Sequence, residues 1–132
     1  MKTDKSQVKK RIIEILKDKT EFVLLFGSFN KESFKEDSDI DIALFLKDEF
    51  IGRKDEVRKD LLLGIDIDVD IIFLNNADPI ISMQAITNGM ELLVNNRERF
   101  NLYKARLLSI YADLKLSRKI IEGTMLNGRI YA

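Results

Sequence analysis

Two short apolar segments flank a polar one, and residues able to do chemistry stand at both seams. Residues 21–26 (EFVLLF) are aromatic and aliphatic between polar neighbours, which predicts a short buried strand. The segment ends on Gly27-Ser28, where the chain can turn tightly. Residues 29–38 (FNKESFKEDS) are polar and irregular. Residues 39–46 (DIDIALFL) then predict a second strand, opening on Asp39-Ile40-Asp41. Alternation sets Asp39 and Asp41 on one face and Ile40 and Ile42 on the other. Two carboxylates aimed the same way at the rim of an apolar sheet repel each other unless a cation neutralises them.

A third carboxylate follows. Residues 66–74 (DIDVDIIFL) predict a strand in which Asp66, Asp68 and Asp70 share a face by period two. Asp66 and Asp68 can belong to the approach, whereas Asp70 runs straight into IIFL. Asp70 is therefore preferred over Asp68 as the third carboxylate. If this strand lies beside the second, Asp70 faces the same pocket as Asp41. Three carboxylates suffice for two Mg²⁺ ions, one activating an attacking hydroxyl and one steadying a triphosphate leaving group.

The chain has no cysteine and no histidine, which removes disulfides, thiolate sites and the usual imidazole base. Acid-base or metal chemistry must run on carboxylates, and the matching ion is hard and oxygen-loving. Gly27-Ser28 offers close backbone approach, N–H groups and a hydroxyl to terminal phosphates. Lys31 and Lys35 add positive charge nearby. Each piece alone has a plainer reading: a turn, a solvent-facing acidic pair, the exposed face of an edge strand. The ordered set is far more specific than its parts.

The remaining pattern is helical. Residues 5–18 form an amphipathic pattern with Val8, Ile12, Ile15 and Leu16 on one face and Ser6 as N-cap. Residues 48–62 predict a helix closed by Gly64. Asp78 and Pro79 start another that runs to Asn88, with Gly89 as its cap. Residues 90–95 read as a fourth strand and 97–122 as one long helix. Tyr103 and Tyr111 on that helix are expected to pack rather than react, and any exposed apolar stripe on it would suit a partner.

With 132 residues and 45% apolar content, one domain spanning 1–132 is expected. The net charge is zero, so no general nucleic-acid binding is expected. The charged N-terminus is unlike a signal peptide and no apolar run reaches membrane-spanning length, so the expected location is the cytoplasm.

These residues resemble the minimal nucleotidyltransferase family of the DNA polymerase β-like superfamily. Its pattern of Gly-Ser, ten residues and Asp-x-Asp is met by Gly27, Ser28, Asp39 and Asp41, and its later strand by Val69-Asp70-Ile71. Residues 73–96 look like the family's following region, so the resemblance covers nearly the whole chain. It implies an α+β fold: a small mixed sheet flanked by helices, with a long C-terminal helix. It implies Asp39, Asp41 and Asp70 as catalytic metal ligands, and Gly27, Ser28, Lys31 and Ser38 as groups holding ATP. Where many members carry Ala-Arg-Gly, this chain has Phe29-Asn30-Lys31; Lys31 replaces the arginine's charge but not its bidentate fork. Stand-alone members of this size resemble antitoxins paired with HEPN-domain ribonuclease toxins, which transfer AMP from ATP to a toxin tyrosine. The resemblance thus implies a Mg²⁺-dependent protein adenylyltransferase in a hetero-oligomer with such a toxin. The alternatives are a non-catalytic module that masks its partner and a transferase acting on a small molecule.

Overall fold

The computed structural model describes residues 5–26 and 40–126, with side chains for 6–26, 40–116 and 118. Gly27, Ser28, Lys31, Ser38 and Asp39 lie outside the described residues. The element order is α1 (Lys5–Leu16), β1 (Thr20–Phe26), β2 (Ile40–Leu46), a 3₁₀ segment (Asp48–Arg53), α2 (Lys54–Gly64), β3 (Val69–Phe73), α3 (Pro79–Asn88), β4 (Met90–Val94) and α4 (Arg97–Leu126). Among the described residues, no helix is long and apolar enough to cross a membrane.

The four strands form one mixed sheet in the order β3-β2-β1-β4. β1 is antiparallel to both β2 and β4, while β2 and β3 run parallel. Parallel neighbours need a crossover, and the 3₁₀ segment with α2 supplies it. Both faces of the sheet are covered, which explains why β1 and β2 read as nearly continuous apolar runs. On one face Val23, Leu25, Ile40, Ile42, Leu44 and Leu46 pack with Ile12 and Leu16 of α1 and Val57 and Leu61 of α2. On the other, Phe22, Leu24, Ala43, Phe45 and Leu74 pack with Ala85 of α3 and Phe100 of α4. Phe22 is fully buried there, with ring centroids 4.6 Å from Phe100, 5.2 Å from Phe45 and 5.4 Å from Tyr103.

Several boundaries differ from the sequence expectation. The segment 48–62 divides, because its first part is a 3₁₀ helix containing Gly52, a poor helix former. Gly64 is the last residue of α2 rather than a cap beyond it; Ile65 follows in extended conformation. A Cβ there would stand 2.6 Å from Ile15 Cδ1 of α1, so the end of that side chain would have to move aside. Ser6 sits inside α1 instead of preceding it. β3 starts at Val69, so Asp66 and Asp68 fall outside the ladder. α4 continues to Leu126, four residues past its expected end. The start of α3 is as read from the sequence: the Asp78 side chain accepts a 2.8 Å hydrogen bond from the Ile80 N–H, and Pro79 occupies the first turn.

Candidate active site

The carboxylate-bearing strands are neighbours, and their register sets the site. Asp41 of β2 pairs with Asp70 of β3, and on its other side with Phe26 of β1. Pairs in register share a face. Successive rows on the α3–α4 side are therefore Phe26/Asp41/Asp70, then Leu24/Ala43/Ile72 and, with one strand end, Phe22/Phe45/Leu74. Two of these rows are apolar and covered by helices. The first is acidic and open: Asp70 is exposed, Asp41 half-buried. Neighbouring strands lie about 4.8 Å apart, so the two carboxylates can share one cation.

The register is held at both ends. The Ile40 N–H donates to the Asp68 carbonyl at 2.8 Å, and the Leu74 N–H donates to the Leu44 carbonyl at 2.8 Å. Asn75 then clamps the far end of β2: its Oδ1 accepts from the Leu46 N–H at 2.8 Å and its Nδ2 donates to the Leu46 carbonyl at 3.1 Å. A slip of one residue would turn Asp70 onto the opposite, buried face.

The expected carboxylates thus separate into three groups. Asp41 and Asp70 are brought together. Asp68 lies just ahead of the ladder, where its carbonyl accepts from the Ile40 N–H and its side chain is exposed. Asp39, with Gly27, Ser28, Lys31 and Ser38, belongs to the undescribed segment that joins Phe26 to Ile40. Among the described residues no three acidic groups come together as a metal cluster. Glu91, in the next row opposite Leu24, is engaged elsewhere. Arg97 donates to both its oxygens, at 2.8 and 3.1 Å, and that pairing holds the Glu91 carboxyl below its ordinary range. Phe26 was not singled out from the sequence, although its period-two relation to Phe22 and Leu24 places it on this face.

The donor set suits a hard divalent ion: adjacent carboxylates at an open sheet end, in a chain without histidine or cysteine. Such an arrangement can bind an ion carrying phosphates while leaving one carboxylate accessible to an acceptor.

The chain is similar to known proteins in sequence and in fold. The model of the family described as polymerase beta, nucleotidyltransferase, matches residues 10–98. The protein adenylyltransferase MntA of Shewanella oneidensis is 32% identical over 123 residues, which span 89% of this chain and 87% of that protein. A chain of a toxin–antitoxin crystal structure with AMP-PNP superposes with a TM-score of 0.71 at 29% identity, covering 89% of this chain and 98% of that one. A chain of the tri-AMPylated Shewanella oneidensis HEPN toxin in complex with MNT antitoxin gives a TM-score of 0.69 at 27% identity, covering 93% and 99%.

Proposed function

The chain belongs to the polymerase β nucleotidyltransferase family, and from that premise we propose that it is an antitoxin that transfers AMP from ATP to a tyrosine of a HEPN toxin. The observation that carries this reading is the register pairing of Asp41 with Asp70 at the open end of the sheet. The likeness to a protein adenylyltransferase over nearly the full chain supports the substrate class. The solved complexes of similar chains with a toxin support the partner.

In this reading Asp41 and Asp70, with Asp39, would hold Mg²⁺, and Gly27, Ser28, Lys31 and Ser38 would hold the triphosphate. Bound Mg²⁺ supplies neutralisation of phosphate charge and Lewis-acid activation at the reacting centre. Asp41, half-buried between β1 and β3, is the positioned ligand. Asp70 is the exposed member of the pair, so an acceptor carried on another protein can reach it. Its carboxylate accepts the hydrogen bond of the tyrosine hydroxyl and orients the oxygen toward the α-phosphorus. A P–O bond forms to that oxygen as pyrophosphate departs, and the hydroxyl proton passes to the carboxylate or to water. Phe26, beside Asp41, gives the site an apolar wall.

The test combines the chain with a HEPN-domain toxin, ATP and Mg²⁺, and reads the intact mass of that toxin. Increments of AMP that vanish with EDTA are expected. Neutralisation of the toxin with no mass change would replace this reading with that of a masking module.

A further inference from the structure

On the same side of the sheet, at the opposite end from Asp41 and Asp70, a cleft of about 350 Å³ opens between α3 and α4. Phe45 and Leu74 form its floor, and Tyr103 and Leu107 form one wall. Arg99 and Arg106 also line it. The Arg99 guanidinium lies over the Phe45 ring at 5.1 Å, and Arg106 is exposed. Among the described residues neither arginine takes part in an ion pair. Asp41 and Phe45 are four residues apart on β2, so the cleft is roughly 13 Å from the carboxylate pair.

The cleft continues into an uncovered helix face. Along α4, Phe100, Tyr103, Leu107, Ile110 and Leu114 recur in steps of three and four residues, which is one helical stripe. Phe100 and Leu107 are buried, at 2% and 5% exposure. Ile110 and Leu114, on the same stripe, are both 47% exposed, and beside them Leu102 is 46% exposed. From Leu108 to Leu116 no residue is buried. The stretch 108–126 extends the helix by about 28 Å. Thus the stripe that fixes α4 to the sheet continues where nothing in the described chain covers it.

We infer that this cleft and the adjoining face of α4 dock the partner protein, through a segment that offers a large apolar side chain beside an aspartate or glutamate. The inference rests on the antitoxin reading above and assigns its partner a second point of contact, separate from the nucleotide end. Charge selects the occupant. Positions 99, 106 and 113 lie seven residues apart on one face, two arginines against the single carboxylate of Asp113. That excess favours an acidic segment over a second copy of the same face. The composition is that of an interface centre: arginine, tyrosine and aliphatic side chains around a pocket. Holding the toxin here leaves the Asp41–Asp70 end free for the toxin's tyrosine.

The test measures calorimetric affinity for a HEPN-domain toxin, without nucleotide, for the wild type, Arg106→Glu, Leu114→Asp and the control Lys59→Glu at an exposed position of α2. Affinity for Mg²⁺–ATP is measured on the same samples. Arg106→Glu and Leu114→Asp are each expected to weaken partner binding by roughly tenfold or more. Lys59→Glu and all Mg²⁺–ATP affinities are expected to match the wild type. Leu114 lies beyond the buried part of α4, so its substitution leaves the fold intact and keeps the test decisive. Unchanged partner affinity in both variants, with AMP transfer retained, overturns the docking surface and leaves the antitoxin reading standing. Failure of the wild type to bind the HEPN protein overturns both. Wild-type self-association dispersed by Leu114→Asp, with partner affinity unchanged, gives the stripe to a second copy and also overturns the inference.

Discussion

Replacing Phe22 with alanine tests whether the α3–α4 face is packed as described. Phe22 is fully buried at the centre of β1, with three aromatic neighbours at 4.6, 5.2 and 5.4 Å. Truncating a buried phenylalanine costs about 3–5 kcal/mol, from lost transfer energy and the cavity left behind. Each well-placed aromatic pair adds about 0.5–1.5 kcal/mol beyond burial, and three are lost together. The expected cost is therefore at the upper end, about 4–5 kcal/mol, against a total stability on the order of 5–15 kcal/mol. Phe50 provides the contrast. It is half-buried, with the Arg53 guanidinium 4.7 Å from its ring centroid. Its alanine variant should cost only about 1–2 kcal/mol. The assay is urea unfolding followed by far-UV circular dichroism. With a slope near 2 kcal/mol per molar, Phe22→Ala should lower the midpoint by roughly 2 M. Equal losses for the two variants, or less than about 2 kcal/mol for Phe22→Ala, would refute the packing argument.

Two further substitutions test local claims. Tyr103 sits half-buried with its hydroxyl pushed above the ordinary phenol range, chiefly by burial, while a hydrogen bond with Ser82 acts in the opposite direction. A raised folded value means that the unfolded chain ionises first. The stability held by neutral Tyr103 is thus complete below about pH 10 and is lost as pH rises through the folded value. Above about pH 10 the wild type should lose stability relative to Tyr103→Phe, and a difference between the two that stays constant with pH would contradict the assignment. Asn75→Ala removes both hydrogen bonds that clamp Leu46. It should cost about 1–3 kcal/mol in chemical unfolding and lower AMP transfer by loosening the β2–β3 register; full activity with unchanged stability would show the clamp to be idle.

Much of this fold is legible locally. EFVLLF, IDIALFL and VDIIF are largely apolar runs, and each forms a strand. Asp78-Pro79 marks the start of α3 by a mechanism that operates within one turn. The errors are equally physical. Period two carries Asp66 and Asp68 into the third strand, but pairing with β2 begins only at Val69, opposite Ile40. Strand ends are set by the partner, and a single sequence does not contain that partner's position. The role of Gly64 likewise depends on α1, more than forty residues away in the chain. In the site, the preference for Asp70 over Asp68 follows from the apolar run after Asp70, and the strand that bears it does lie beside the strand that bears Asp41. The sheet order that makes them neighbours is a property of the crossover, invisible to alternation. The cleft at Arg99 and Arg106 could not be read at all, because on a thirty-residue helix only the packed domain distinguishes the covered length from the uncovered one.

The central claim is that the Asp41–Asp70 pair is the chemical end of the molecule. Single-turnover AMP transfer to the HEPN protein, in Mg²⁺ and ATP, measures it most directly in Asp70→Asn and Asp68→Asn. Each variant removes one negative charge two residues apart on the same stretch of chain, so bulk electrostatics is matched. The account predicts a loss of roughly a hundredfold or more for Asp70→Asn, as for other positioned catalytic carboxylates, and a rate near wild type for Asp68→Asn. Transfer by Asp70→Asn at the wild-type rate, or an equal loss in both variants, would contradict it.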